Sequence, residues 1–204
     1  MNFSILNSMV YFIVGLGNPG EEYVHTRHNT GRIILEYFRK AGSFSDWEPN
    51  KKLRALVSGG KVQGDMVSIV LPETFMNKSG ASVVLVVKNK KQAERLVVVH
   101  DDLDLPLGSF KIVFNRGSGG HRGVESIRRA IKTEGFIRIK VGISPRTPSG
   151  KTKKPKGEKA VNNFILGTFK PKELELLKKV SKKVSGALTA IVVDGKERAM
   201  NEFN

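Results

Sequence analysis

The sequence predicts an α/β sandwich built around a mixed β-sheet. Short apolar runs of the kind that form buried strands alternate with segments of helical periodicity, and one pair of runs has the spacing of a hairpin. Helical crossovers join parallel strands, whereas a hairpin joins antiparallel ones, so the two together indicate a mixed sheet. The chain has 204 residues and no cysteine. This length suits one domain that is large enough to bury a core, and the absence of cysteine means that no disulfide stabilises it.

The first half of the chain opens with a continuous apolar run at residues 10–15, which predicts a buried strand. Asn29 begins a predicted helix that continues to Lys40 with its apolar residues on one face. Residues 53–58 and 65–71 flank a glycine-rich segment at 59–64, and this arrangement predicts a hairpin.

In the second half, Ser79 is predicted to cap a helix that extends to about Lys90. A short apolar strand follows at residues 96–100, with acidic residues at its end, and residues 110–114 predict an edge strand. Residues 122–132 have helical periodicity, and the run at 137–143 predicts a further strand.

The two ends of the domain differ in character from its centre. Residues 1–8 are weakly patterned and precede the first strand, so we expect a flexible extension and a single domain over 9–204. Residues 144–159 hold three prolines and six lysines or arginines, which predicts a mobile basic loop. After Pro171, apolar residues repeat at helical spacing and predict a C-terminal amphipathic helix. Its lysines, at positions 178, 179, 182 and 183, are most simply solvated.

The chain carries 35 Lys and Arg against 19 Asp and Glu, a formal net charge of +16. A surplus of this size favours polyanionic partners by counterion release. An anionic membrane is less favoured, because the sequence has no lipidation motif and no long apolar run. The segment 1–9 lacks the basic start and uninterrupted apolar stretch of a signal peptide.

Four short polar motifs carry the chemistry of the chain. They are GLGNPG at 15–20, TRHNTG at 26–31, TFMNKSG at 74–80 and HDDLDLPLG at 100–108. His28 is the candidate general base, because a neutral imidazole has a reference pKa of about 6.5 and accepts protons near neutral pH. Asp101 is the candidate carboxylate that orients it. With no serine or cysteine nucleophile motif, water becomes the nucleophile.

Side-chain amides and an aromatic ring complete the predicted site. The GLGNPG turn presents Asn18 beside a cleft, and the amide of Asn77 can both donate to a carbonyl and accept from an N–H, as a peptide requires. Phe75 offers an aromatic face to a base or a side chain. The simpler alternatives are a turn-forming role for Asn18 and loop packing for Phe75 and Asn77.

Two other interpretations of these motifs stay open at this stage. GLGNPG matches the dinucleotide pattern G-x-G-x-x-G, but Pro19 removes an amide donor and two glutamates follow where a phosphate would lie. A metal site could be drawn from the following residues: His25, His28, Asp101, Asp102 and Asp104. Arg27 would repel a cation there, so we predict no metal. Since Pro19 and the two glutamates disfavour a dinucleotide, we also predict no cofactor. His121 is interpreted as a helix-start residue and His100 as structural.

In this order and spacing, the four motifs resemble bacterial-type peptidyl-tRNA hydrolase from about Tyr11 to the C-terminus. The resemblance implies a single three-layer domain with a twisted mixed sheet flanked by helices. It implies hydrolysis of the ester between a peptide and the 3′ end of tRNA, with His28 as base and Asp101 holding it in its basic form. Asn18 would help to reject aminoacyl-tRNA with a free amine, and the substrate site would be lined by Tyr23, Phe75 and Asn77.

The chain departs from the family pattern at Arg122, which replaces an asparagine in the motif Gly-Gly-His-Asn-Gly-Leu. A guanidinium has donors and no acceptor, so it cannot copy an amide. Arg122 therefore stays a candidate substrate contact of unknown kind. Lys111, Arg138 and Lys140 fall near the family's acceptor-stem contacts and are candidate phosphate binders.

These observations predict a cytoplasmic, monomeric hydrolase that binds tRNA and no membrane. Two further functions remain to be separated from it. One is an RNA-binding protein of the same fold without activity, and the other is an oxidoreductase with a nucleotide cofactor. Turnover of an N-blocked aminoacyl-tRNA distinguishes all three.

Overall fold

A computed structural model describes residues 10–147 and 152–204. Seven strands form one sheet, in the order β2-β3-β4-β1-β5-β7-β6. The strands are β1 (Tyr11–Gly15), β2 (Glu48–Asn50), β3 (Ala55–Val62), β4 (Asp65–Pro72), β5 (Leu96–Pro106), β6 (Phe110–Phe114) and β7 (Ile137–Ser144). The four inner strands β4, β1, β5 and β7 are parallel, and β2, β3 and β6 are antiparallel to their neighbours. The mixed sheet and the edge position of β6 are as predicted.

Helices cover both faces of this sheet. They are α1 (Thr30–Ala41), α2 (Gly80–Val86), α3 (Lys90–Ala93), α4 (Arg122–Ile131), α5 (Glu158–Leu166), α6 (Pro171–Val193) and α7 (Lys196–Phe203). Along β1, Ile13 packs into the core beneath α1 and α6, whereas Phe12 and Val14 pack into the core beneath α2 and α4. Because side chains alternate across a strand, one sheet serves two cores, and the domain has three layers.

The hairpin between β3 and β4 is tighter than the sequence predicts. Val62 pairs with Asp65, so the connection is the two-residue turn Gln63-Gly64, with φ values of 49° and 99°. Two positive φ values in succession are typical of the type I′ turn, which matches strand twist. Gly59 and Gly60 therefore belong to β3 and not to the loop. At Gly60 a Cβ would lie 2.5 Å from the Phe44 ring, so glycine serves packing there.

The helix predicted from Ser79 to about Lys90 is shorter than expected. α2 ends at Val86, and α3 restarts at Lys90, where the Asn89 side chain accepts from the Gln92 N–H. Ser79 does not cap with its side chain, because its hydroxyl donates to the carbonyl of Met76 at 2.9 Å. The Asn89 cap favours a new helix start over continuation of the first.

The basic loop predicted at 144–159 is shorter in the structure, because β7 and α5 each take up one of its ends. The N-terminal extension expected at residues 1–8 lies outside the described residues. β7 ends at Ser144, Arg146 pairs with Thr152, and α5 already begins at Glu158. The sequence analysis did not predict α5, α7 or β2. Among the described residues, no helix is long and apolar enough to cross a membrane.

Parallel pairing brings the four motifs to one edge of the sheet. Because β1, β4 and β5 run in the same direction, their carboxyl ends meet, and each continues into one of the motifs. The motif that carries His28 leads into α1, which lies close against this edge. At Gly31, in the first turn of α1, a Cβ would be 2.3 Å from the Val99 carbonyl oxygen.

Candidate active site

The candidate base lies on a single turn of 3-10 helix, Arg27–Asn29, immediately before α1. All three residues of the turn are buried, and Thr26 before them is extended. The hydroxyl of Thr30 donates to the carbonyl of Arg27 at 2.7 Å and so ties the turn to the helix start. The His28 ring is thereby held on a backbone with little freedom.

His28 and Asp101 form the predicted pair. Nδ1 of His28 lies 3.0 Å from both carboxylate oxygens of Asp101, which is only 3% exposed. A carboxylate can only accept, so Nδ1 carries the proton and donates. The lone pair of the neutral ring is then on Nε2, to which no described residue donates. The contact sets the tautomer that a general base needs.

His121 is a site residue that the sequence analysis missed. It caps α4, as predicted for a helix-start residue, because its Nδ1 accepts from the N–H groups of Gly123 and Val124 at 3.2 and 3.3 Å. Its Nε2 also donates to Oδ1 of Asp101 at 3.0 Å. A buried carboxylate needs more than one donor, so the presence of a second partner was foreseeable, but not its identity.

Burial alone would raise the pKa of Asp101, but His28 and His121 hold that pKa well below its usual range. Asp101 is therefore anionic at neutral pH. His100, predicted to be structural, is fully buried and donates from Nδ1 to the Asp101 carbonyl at 2.7 Å. Burial is the main cause that lowers the pKa of His100, and the nearby His121 lowers it further, so the His100 ring stays neutral.

Asn18 links two of the motifs. Its backbone N–H donates to Oδ1 of Asn29 at 2.8 Å, and Nδ2 of Asn29 donates back to the Asn18 carbonyl at 2.9 Å. The side-chain oxygen of Asn18 accepts from the Met76 N–H at 2.8 Å. No described residue accepts from its side-chain NH₂ group. Asn18 is thus a fixed donor that is hydrogen-bonded directly to Asn29 in the His28 turn.

The other predicted substrate residues surround this centre. Asn77 is exposed on the 3-10 turn Met76–Lys78, directly after the residue that bonds Asn18. Phe75 precedes that turn with 58% of its surface exposed. Tyr23 is half-buried in the turn Glu21–Tyr23. An exposed aromatic ring next to an exposed amide is suited to contact with a ligand.

Arg122 is the first residue of α4 and follows His121. Its Nη2 lies 2.5 Å from Oε1 of Glu158, the first residue of α5. The two side chains are 59% and 76% exposed. Arg122 therefore lies next to the site and bridges two elements, although the pair is open to solvent.

The three candidate phosphate binders line a cavity of about 550 Å³ along β6 and β7, which none of His28, Asp101 and Asn18 lines. Lys111 is exposed, and Lys140 pairs with Asp102 at 2.8 Å. Arg138 is 3% exposed and donates to two backbone carbonyls in the loop between β6 and α4, at residues 116 and 117. Burial lowers the pKa of this guanidinium.

The dinucleotide site and the five-residue metal site that the sequence analysis considered are not formed as drawn there. The GLGNPG segment leads into one 3-10 turn and not into a helix, so no helix N-terminus faces a phosphate there. The ligand atoms that do converge, within 4.8 Å of one another, belong to His28, Asp101 and His121. Both histidines direct N–H groups, not lone pairs, at the carboxylate. His25 is exposed and belongs to no such group.

Comparison with known proteins agrees with this geometry. The family model for peptidyl-tRNA hydrolase matches residues 12–204. The peptidyl-tRNA hydrolase of Syntrophotalea carbinolica is 37% identical over 193 residues, which cover 94% of this chain and 95% of the relative. That of Aquifex aeolicus is 37% identical over 196 residues, 96% of either chain. The crystal structure of the Acinetobacter baumannii enzyme matches with a TM-score of 0.85 at 30% identity, covering 97% of this chain and 95% of that one. The resemblance predicted from the motifs is confirmed, and the chain belongs to the peptidyl-tRNA hydrolase family.

Proposed function

We propose that the chain hydrolyses the ester between a peptide, or an N-blocked amino acid, and the 3′ end of tRNA, with His28 as general base on water. Membership of the family supports the reaction. The observation that carries the mechanism is the contact of His28 Nδ1 with Asp101 at 3.0 Å, which leaves Nε2 as the basic atom.

In the proposed reaction, Nε2 of His28 removes a proton from a water molecule as the water oxygen attacks the ester carbonyl. Asp101 stabilises the imidazolium that forms. The tetrahedral intermediate then expels the 3′ oxygen of tRNA, which takes the proton back from His28. The products are a free carboxylic acid and deacylated tRNA, and neither a covalent enzyme intermediate nor a cofactor is required.

Discrimination between substrates is assigned to the side-chain amides. Because the Asn18 oxygen already accepts from Met76, only its NH₂ group is available, and it suits a carbonyl oxygen of the substrate. Asn77 supplies a second amide from the adjacent turn. A free α-ammonium has no acceptor and carries charge, so it leaves these donors unpaired.

tRNA is held by charge. The net charge of +16 attracts the phosphate backbone, and exposed Lys111 with half-buried Lys140 would contact phosphates near the acceptor end. We assign Arg138 a supporting part in this surface, because it holds the loop at residues 116 and 117. The chain would act as a monomer in the cytoplasm, where translation takes place.

The test is hydrolysis of N-acetylaminoacyl-tRNA compared with free aminoacyl-tRNA, without added metal. The wild type should cleave only the blocked substrate. His28→Ala should lower kcat by about 10²–10⁴, the usual contribution of a general base, and Asp101→Asn should lower it because an amide can favour the wrong tautomer.

His25→Ala is the matched control, because His25 lies three residues away with an exposed side chain. It should retain wild-type turnover. If His28→Ala is as active as the wild type, the proposed mechanism is wrong. Binding of tRNA by the wild type without turnover would instead indicate an inactive RNA-binding protein.

A further inference from the structure

We infer that Arg27 is a positioning residue for His28, and that it does this by fastening the His28 turn to the junction of α5 and α6. The inference rests on the proposed role of His28 as the base. It concerns a side chain whose contacts are to the α5–α6 junction, and which has no part in the proton transfer itself.

The backbone that leads into the turn is joined to the α5–α6 junction on both sides of Thr26. The Arg27 N–H donates to the Gly167 carbonyl at 3.0 Å, and the Phe169 N–H donates to the His25 carbonyl at 3.0 Å. Thr26 and Thr168 form an isolated antiparallel bridge between these bonds. The segment before His28 and the segment after α5 therefore form a short two-stranded contact.

The Arg27 side chain reinforces that contact from within. It is 8% exposed, and its guanidinium lies 4.6 Å from the ring centroid of Phe164 and 5.5 Å from that of Phe169. Nη2 pairs with Oε2 of Glu173 at 2.9 Å, and Nη1 donates to the Phe164 carbonyl at 3.4 Å. The planar cation is thus stacked and paired at once, which a lysine cannot reproduce.

Stability is a poor explanation for this arrangement. Nε of Arg27 is buried with no partner among the described residues. Burying a charge with an unmet donor is costly, and apolar replacements of buried ion pairs are often neutral or stabilising. What the arginine supplies is a fixed orientation of the turn, because the ring contacts and the ion pair with Glu173 must be made at the same time.

The three residues of the turn contact three different parts of the fold. Arg27 faces the α5–α6 junction, His28 faces Asp101 on β5, and Asn29 pairs with the backbone of Asn18. His28 therefore lies between two fixed neighbours. Loss of the Arg27 anchor would leave the ring free to shift on that side, and displacement of a reacting group by about 1 Å costs up to about 10² in rate.

Arg27 also connects the site to α5. None of the residues of α5 is fully buried, so this helix depends on few contacts, among them Phe164 on Arg27. Gly167 at its C-terminal end leaves room for the side chain, since a Cβ there would lie 3.0 Å from Nη1. The Arg27 side chain thus couples the position of α5 to that of His28, in addition to the backbone bonds at Gly167 and Phe169.

The test compares Arg27→Met and Arg27→Lys in the full chain, with N-acetylaminoacyl-tRNA as substrate. Arg27→Met keeps the apolar contact with the two rings and removes the pair with Glu173. It should lower kcat by about 10- to 100-fold, with KM changed less than about threefold and the melting temperature nearly unchanged. Arg27→Lys should recover part of kcat, because it restores the charge but not the plane.

Arg39→Met is the matched control. Arg39 also pairs with carboxylates and lies 5.9 Å from an aromatic ring, that of Trp47, but it is on the far end of α1 from His28. It should affect stability and leave kcat unchanged. The positioning role is refuted if Arg27→Met keeps wild-type kcat, or if kcat falls only in proportion to the folded fraction. His28→Ala is measured alongside, so that an active His28→Ala identifies a failure of the proposed function instead.

Discussion

Among single residues, Asp101 determines the chemistry of the site. One buried carboxylate accepts from two histidines, and each histidine carries its proton on the nitrogen that faces Asp101, because a carboxylate can only accept. Among the described residues no group donates to Nε2 of His28, the proposed base, whereas His121 has both nitrogens engaged. Of these two histidines, only His28 thus has a nitrogen available to accept a proton, and the difference follows from their hydrogen bonds.

Arg122 is the residue at which this chain departs from its family pattern, and its pair with Glu158 suggests its use. An exposed ion pair contributes about 0–1 kcal/mol, so a substrate phosphate can displace the glutamate. We expect Arg122→Ala to raise KM by about tenfold, the effect of removing one charge-assisted hydrogen bond, with kcat nearly unchanged. Arg122→Lys should be tolerated and Arg122→Asn should not.

Glu158→Gln is the complementary variant, because it releases the guanidinium and should lower KM. Steady-state kinetics on N-acetylaminoacyl-tRNA measures both effects. Recovery of KM by Arg122→Asn would show instead that Arg122 replaces an amide contact. Wild-type KM in all four variants would remove Arg122 from the substrate site.

Among elements, α1 is fastened by Glu36 to the loop that leads into β2. Its carboxylate accepts from Trp47 Nε1 at 2.6 Å and from Arg39 at 3.1 Å, and it pairs with Lys40 at 2.9 Å. Burial would raise the pKa of Glu36, but hydrogen bonds from these three side chains lower it to about 2. The helix that follows His28 is thereby held at its far end.

The lowered pKa predicts how stability depends on pH. Because Glu36 titrates lower when folded than its reference of about 4.3, its contribution is complete above that reference and is lost as pH falls towards 2. Glu36→Gln should therefore be less stable than the wild type at neutral pH, and the difference should shrink between about pH 4.5 and 2. Urea unfolding followed by circular dichroism at several pH values measures it.

Glu48→Gln is the control for Glu36→Gln. Glu48 is exposed on β2 and its side chain makes no hydrogen bond to any described residue, so the variant removes a charge without removing a bond. Its effect on the free energy of unfolding should be small. A pH-independent difference for Glu36→Gln would contradict the assignment.

The basic segment before α5 is the second element with a specific expectation. Lys153, Lys154 and Lys156 are exposed, and Lys154 pairs with Asp104, which lies within the motif that carries Asp101. Lys151, which belongs to the same basic run in the sequence, lies outside the described residues. Neutralising the three described lysines should reduce the log–log salt slope of tRNA binding by about 0.7–0.9 for each phosphate that is no longer neutralised.

The α6 lysines provide a control with the same change of charge. Lys178, Lys179 and Lys182 are exposed on a helix that we interpret as solvated. Their replacement by glutamine should change the slope less than replacement of the loop lysines does. Equal slopes for the two triple variants would mean that tRNA binding depends only on the net charge of the protein. The loop lysines would then make no specific contact with tRNA.

At the scale of the whole molecule, the close approach of α1 to the sheet places the site. Gly31 allows it, since a Cβ there would lie 2.3 Å from the Val99 carbonyl oxygen and 2.5 Å from the Leu16 N. Gly31→Ala should destabilise the protein by about 1–3 kcal/mol, as overpacking does, and should lower kcat because the helix that follows His28 must move away.

Gly59→Ala provides the comparison for Gly31→Ala. A Cβ at Gly59 would meet nothing within 4 Å, and this glycine lies in the same sheet. The variant should be neutral or slightly stabilising, because alanine reduces the entropy of the unfolded chain. Thermal unfolding and kcat measured on both variants test the point. A Gly31→Ala protein with wild-type stability would show that α1 can move away from the sheet at little cost in free energy.

Much of this architecture was predictable because it is locally encoded. The apolar runs of β1, β5 and β7 and the periodicity of α1 and α4 are visible within windows of ten residues. The elements that were missed, β2, α5 and α7, are short or weakly apolar, and α5 has no fully buried residue. Local periodicity carries little information where tertiary contacts supply most of the stability.

The sequence by itself determined the class of fold, the candidate base with its carboxylate, and the polyanionic partner. It could do so because these properties depend on residue type, short spacing and summed charge. Tertiary structure alone decided that His121 shares Asp101, that Glu158 meets Arg122, and that Glu173 meets Arg27, a residue 146 positions away. Such contacts depend on strand order and on how the helices lie against the sheet, and no pattern within a single segment records either.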